Sequence, residues 1–207
     1  MIVKQIPVGP MMNRSYLIVC EKTREAAIVD PAWELDTLTR ELRAARGDLR
    51  ILLCTHGHGD HVNLVSDLLN QFPNAKAVCH ELERIPAPKS KTHAVKDGDM
   101  LLLGEIEIRC MHTPGHTPGS VTYIADDHAF FGDTLFAGEN CGRVDLYGDG
   151  PRDMAASLQR IRGLPGHLTV CSGHTYGRLE TSTMDFEKTH NAALQCKTIE
   201  EFLNWKG

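Results

Sequence analysis

Apolar residues recur along this chain in two rhythms, and the changes between them mark out the elements. Ile2 to Val8 and Tyr16 to Cys20 read as strands, with Gly9-Pro10 and Asn13 as turn material between them. Glu25 to Asp30 reads as a third strand, ended by Pro31. Leu35, Leu38 and Leu42 then recur at helical spacing, and Gly47 closes that helix. Ile51 to Cys54 is a short apolar run of the kind buried on both faces of a sheet. A second helix carries Val65, Leu68, Leu69 and Phe72 on one face and stops at Pro73-Asn74, before a strand over Ala75 to Cys79. Glu81 to Lys91 is polar, holds two prolines and reads as a surface loop.

The second half repeats the theme. Met100 to Leu103 and Glu105 to Met111 form a hairpin around Gly104, and Val121 to Ile124 and Ala129 to Phe131 form another around Asp126-Asp127. Gly138 to Gly150 reads as a long loop. Pro151 suits the first turn of the helix that follows, which carries Met154, Leu158 and Ile161 and ends at Gly163. Leu168 to Cys171 is a last strand, and Thr198 with Glu201 makes a capping box for a terminal helix. With no linker or repeat, residues 1–207 read as a single α/β domain of sheets packed face to face with helices outside.

The chemistry is concentrated in Thr55-His56-Gly57-His58-Gly59-Asp60-His61, directly after the apolar run at Ile51. Three imidazoles and a carboxylate within six positions exceed what the 11 His of this chain would place together by chance. Imidazole and carboxylate suit zinc, iron and manganese. Residues two apart in extended chain point the same way, so His56 and His58 can converge on one ion. Asp60 and His61, opening the next helix, then address another point. Gly57 and Gly59 let the backbone fold tightly between these side chains.

Three further polar positions each follow an expected strand. His116 sits at the tip of Thr113-Pro114-Gly115-His116-Thr117-Pro118-Gly119-Ser120, Asp133 follows Phe130-Phe131-Gly132, and His174 follows Ser172-Gly173. Asp30, ending its own strand, is placed either to bond a ligand imidazole or to cap its turn.

Composition narrows the classes. A net charge of −5 and a pI near 6.1 disfavour a nucleic-acid binder, and no apolar run approaches the ~20 residues of a membrane span. Seven Cys with no CxxC pair argue for a reducing, cytoplasmic setting.

With these motifs in place, His56-x-His58-x-Asp60-His61, Pro-Gly-His116, Gly-Asp133-Thr-Leu-Phe and Gly-His174, the sequence resembles the metallo-β-lactamase fold superfamily in its glyoxalase II-like branch. The resemblance implies a four-layer αβ/βα sandwich with a two-metal site at one edge. His56, His58 and His116 would hold one divalent ion, Asp60, His61 and His174 another, and Asp133 would bridge. Zinc is the first expectation for both, and iron or manganese suits the same donors. The implied activity is hydrolysis of a thioester or similar activated ester by metal-bound hydroxide, with Asp60 orienting it and taking its proton. The implied substrate is a small molecule, possibly a glutathione conjugate, with Arg143 and Tyr176 as contacts.

Only 33 residues follow His174, too few for the C-terminal helical domain of full-length glyoxalase II, which argues against S-lactoylglutathione. Cys141-Gly142-Arg143-x-Asp145, His174-Thr175-Tyr176-Gly177, Ser182-Thr183, Glu187, Asn191 and Glu200-Glu201-Phe202 resemble persulfide dioxygenases. That branch would use one iron on His56, His116 and Asp133, acting on glutathione persulfide.

Overall fold

A computed structural model describes residues 1–176 and 179–206. The first half builds a six-stranded sheet in simple sequence order, from β1 (Ile2–Val8), β2 (Asn13–Val19), β3 (Glu25–Val29), β4 (Asp48–Leu53), β5 (Lys76–His80) and β6 (Thr92–Val95). Its first three strands are antiparallel, and β3 to β6 run parallel. Helices α1 (Leu35–Ala44), α2 (Gly59–Val62) and α3 (Val65–Gln71) fall in the crossovers.

The second half builds the other sheet from β7 (Met100–Leu103), β8 (Ile106–His112), β9 (Val121–Ala125), β10 (His128–Gly132), β11 (Thr169–Ser172) and β12 (Ser182–Thr183), again in sequence order. Only the β10–β11 pair is parallel, because α4 (Gly150–Arg162) provides its crossover. The chain ends in α5 (Met184–His190), α6 (Ala192–Gln195) and α7 (Ile199–Lys206).

Strand periodicity explains the layering. In β2, Leu17 and Val19 join an outer core with Leu38, Leu42, Val65 and Leu68 of the helices, whereas Tyr16 and Ile18 face inward. In β10, Phe130 meets Tyr16 between the sheets while Ala129 and Phe131 pack outward on Met154, Leu158 and Ile161 of α4. Three apolar cores therefore fill the three interfaces of a helix–sheet–sheet–helix stack, the expected αβ/βα sandwich.

Two departures from the expected elements have local causes. β6 is a short strand at the sheet's end with two exposed residues, so its sequence carries no apolar run to read. In the tail, α5 and α6 are only seven and four residues long and depend on caps. Thr183 Oγ accepts from Phe186 N–H, and Asn191 Oδ1 accepts from the Ala193 and Leu194 N–H groups.

The sheets are tied together at one end. Backbone N–H groups of Arg14 and Val121 donate across the sandwich to Gly173 and Thr55 carbonyls, each at 2.8 Å. The buried Tyr16 hydroxyl donates to the Ser172 carbonyl at 2.7 Å. Strands β4, β8, β10 and β11 all deliver their C-terminal ends to this tied end. Removing the hydroxyl in Tyr16→Phe should cost about 1–2 kcal/mol of stability. It should shift the urea midpoint without changing the slope, and an unmoved midpoint would refute the tie.

Candidate metal centre

The loop after β4, the turn after β8, the residue after β10 and the residue after β11 bring His56, His58, Asp60, His61, His116, Asp133 and His174 together. Donor atoms of His56, His58 and His116 lie within 4.8 Å of one another, and so do those of Asp60, His61 and His174. Asp133 stands between the groups. Its Oδ1 lies 3.4 Å from His61 Nε2, and its Oδ2 lies 3.5 Å from His116 Nε2 and 3.4 Å from His174 Nε2. The donor atoms of Asp30, His56 and His61 form a third such group.

Hydrogen bonds on the outer side fix which nitrogen faces in. Thr55 Oγ–H donates to Asp30 Oδ2 at 2.7 Å, so it accepts from His56 Nδ1–H at 3.0 Å. His61 Nδ1–H donates to Asp30 Oδ2, His116 Nδ1–H to the Arg143 carbonyl and His174 Nδ1–H to the Met11 carbonyl. Each of these four rings therefore points its Nε2 inward, where it offers a lone pair whenever the ring is neutral. His61 Nε2 and His174 Nε2 face each other at 3.0 Å, a contact that needs a proton or a metal ion between the two nitrogens.

Among the described residues, His56 Nε2 and Asp133 Oδ1 are buried with no hydrogen-bond partner. A buried acceptor in that state is costly unless a cation satisfies it. The donor chemistry and these two orphaned atoms fit divalent metal ions.

The local field agrees. Burial opposes charge on His174, yet hydrogen bonds to Asp133 and Asp60 push it up to about 9. Burial likewise opposes charge on His61, and Asp133 with Asp30 raises it. Burial works against ionised Asp60 and Asp133, but the neighbouring His61 and His174 hold both carboxyls well below the usual range. Burial lowers His56 and His116, keeping them neutral as ligands must be.

Of the two readings of Asp30, the bond to a ligand imidazole is the one formed, and the same carboxylate takes Thr55 N–H at 2.8 Å. Asn13, read as turn material, has a part that the sequence did not disclose. Its Nδ2 donates to both Oδ2 and the carbonyl of Asp60, at 2.9 and 3.0 Å, while its Oδ1 accepts from Trp33 Nε1–H. The signal was absent because 47 residues separate the pair. An antiparallel bridge also pairs Asn13 with His174.

Glu187 and Asn191, fully buried in the tail, hold the loop beyond Asp133. Glu187 accepts from Gly138 N–H, and Asn191 donates to the Phe136 carbonyl. Cys54 and Cys79 are buried and pushed up by burial, in keeping with inert packing.

A cavity of about 440 Å³ opens onto the cluster, with Met11, Phe136, Leu146, Tyr176 and Arg143 around His58 and Asp60. Tyr176 stacks on His174 with ring centroids 4.4 Å apart. The Arg143 guanidinium is engaged by Asp145 through two 2.8 Å bonds. A larger surface groove of about 640 Å³, beside Asp97 and Arg160, contains no such donor cluster among the described residues.

A sequence profile of the metallo-beta-lactamase superfamily matches residues 8–174. The chain belongs to the metallo-beta-lactamase superfamily. The probable polyketide biosynthesis zinc-dependent hydrolase BaeB of Bacillus velezensis is 34% identical over 196 residues, which cover 94% of this chain and 87% of that relative. The hydroxyacylglutathione hydrolase of Xanthomonas axonopodis pv. citri is 38% identical over 175 residues, covering 84% of this chain and 66% of its own length. The solved structure of ETHE1 from Myxococcus xanthus superposes with a TM-score of 0.86 at 28% identity, covering all of this chain and 90% of the other. This superfamily member is thus an enzyme of the glyoxalase II-like branch with hydrolases among its relatives. Among the described residues, no helix is long and apolar enough to cross a membrane.

The raised His174 gives a test. Protonation there supports the folded metal-free protein in full below pH 6.5, and the contribution fades as pH rises through about 9. The melting temperature of chelator-treated protein should fall across that window, and less so in His174→Ala. A flat profile in the wild-type protein would contradict the field described.

Proposed function

We propose that this enzyme hydrolyses a thioester, or a similar small activated ester, at a two-ion site. The observation that carries the reading is the pair of inward-facing donor groups joined by Asp133 at the foot of the cavity. His56, His58 and His116 would hold one ion, Asp60, His61 and His174 the other, and Asp133 would serve both. Zinc is the first choice, a preference that the named zinc-dependent relative supports. Bound divalent ions supply Lewis acidity toward a carbonyl and acidify water to a pKa near ~7.

The chain's own groups do the rest. Asp60 borders the cavity, and Asn13 fixes its Oδ2. A carboxylate held so far below its usual range orients the attacking water by accepting its hydrogen bond, and keeps a proton only in passing. A thiolate leaves without a strong general acid. Met11, Phe136, Leu146 and Tyr176 offer apolar surface to the organic part of the substrate. Arg143 becomes an anion contact for a glutathione conjugate if it exchanges Asp145 for a substrate carboxylate. The net charge of −5 supports a small-molecule substrate rather than nucleic acid. The seven Cys, none of them disulfide-bonded, support a cytoplasmic setting.

A second reading has its own support. The match to ETHE1 spans nearly the whole of both chains, whereas the hydroxyacylglutathione hydrolase is matched over 66% of its length. In that reading His56, His116 and Asp133 would hold one iron, which would supply the oxygen chemistry for oxidation of a persulfide.

Protein purified without added metal should carry two ions per chain and turn over members of an acyl-thiol panel, and Asp133→Ala should drop turnover to background. One iron per chain, with oxygen uptake on glutathione persulfide and no thioester turnover, would replace the first reading by the second.

A further inference from the structure

We propose that Glu83 is a positioning residue for the His56–His58–His116 group, a carboxylate strut wedged between the two loops that carry those rings. The inference rests on the reading of that group as a metal site. Glu83 lies in the polar segment between β5 and β6, half-buried, with its N–H donated to the His80 carbonyl at 2.9 Å. One carboxylate oxygen, Oε1, accepts from the Thr117 hydroxyl and from Gly119 N–H, the latter at 3.0 Å.

The bond directions follow from the carboxylate being an acceptor only. Thr117 must donate to Glu83, so Ser120 Oγ–H donates to Thr117 Oγ at 2.8 Å, and Ser120 Oγ accepts Thr117 N–H at 3.1 Å. The polar groups of the turn just beyond His116 are thus ordered around one side chain.

The other oxygen faces the first histidine loop. A Cβ on Gly57 would lie 2.6 Å from Glu83 Oε2 and 2.6 Å from the Arg84 carbonyl. A Cβ on Gly119 would lie 2.7 Å from Glu83 Oε1 and Cγ. Both distances are shorter than real carbon contacts, so glycine at these two positions admits the strut. Neither Gly57 nor Gly59 has left-handed backbone, and Gly59 has open space around it. Gly57 is small because the Arg84 carbonyl and the Glu83 carboxylate both crowd it.

Gly57 adjoins both His56 and His58, and Thr117 adjoins His116. Glu83 therefore sets the separation of the two loops, across which His116 Nε2 lies 3.0 Å from His58 Nδ1. His56 has its own support in Thr55 and Asp30, so His58 and His116 depend on the strut most. Losing such an outer partner typically weakens metal binding about 10–100-fold.

The test titrates cobalt(II) into chelator-treated full-length protein against a competing chelator, reading the visible cobalt band. Glu83→Ala should weaken cobalt binding at least about tenfold. Glu83→Gln, which keeps an oxygen acceptor for Thr117 and Gly119, should stay near wild type. Glu81→Ala, on the same segment but paired with Lys96 at 3.4 Å, should leave binding unchanged. Thr117→Val removes one donor while sparing the loop, should weaken binding in the same direction, and carries the test if Glu83→Ala does not fold. Wild-type affinity in Glu83→Ala or Thr117→Val, or a Glu83→Gln variant as weak as Glu83→Ala, would overturn the strut. The readout needs no substrate, so absence of thioester turnover alone overturns the hydrolase reading and leaves this one standing.

Discussion

Inward-facing lone pairs and carboxylates cannot occupy one buried space without positive charge among them. Four imidazoles here spend their Nδ1 protons outward, on Thr55, Asp30, the Arg143 carbonyl and the Met11 carbonyl. Their remaining nitrogens converge on Asp133 and on each other, and His56 Nε2 and Asp133 Oδ1 are left without hydrogen bonds. Burial alone would drive the carboxyls to protonate. Instead they are held ionised and raise His61 and His174, so the cluster draws in either protons or metal ions.

The sandwich exists, in functional terms, to hold that cluster together against its own repulsion. Two sheets with separate outer cores share a third core, and cross-sheet bonds from Arg14, Val121 and Tyr16 close the end where the strands deliver their ligands. Support then radiates outward in short bonds. Asp30 orients His61 and Thr55, Asn13 fixes Asp60, and Glu187 with Asn191 secures the loop beyond Asp133. Loops that would otherwise move are made rigid from behind, which is what a metal site of defined geometry requires.

The cavity gives the site its outlook. Its floor is the donor cluster and its walls include Met11, Phe136, Leu146 and Tyr176, an apolar setting for the non-reacting part of a small substrate. Tyr176 stacks on a ligand imidazole and Arg143 is held by Asp145, so both side chains expected to meet substrate already have partners.

Strand and helix positions were legible along the chain because apolar side chains run together in a strand buried between two layers and recur every third or fourth residue on a helix. The short elements β6, α5 and α6 escaped, since caps and edge pairing hold them and not an apolar period. The seven clustered donor residues were legible too, because side chains that can donate to a metal are few in kind and each of these follows a strand end. Of their partners, Asp30 could be read from its place at a strand end, and the more distant ones could not. Asn13 is 47 residues from Asp60, and Glu83 is 34 and 36 residues from Thr117 and Gly119. A donor type announces itself in sequence, whereas a hydrogen bond across the fold has no local trace until the two sheets close and set the distance.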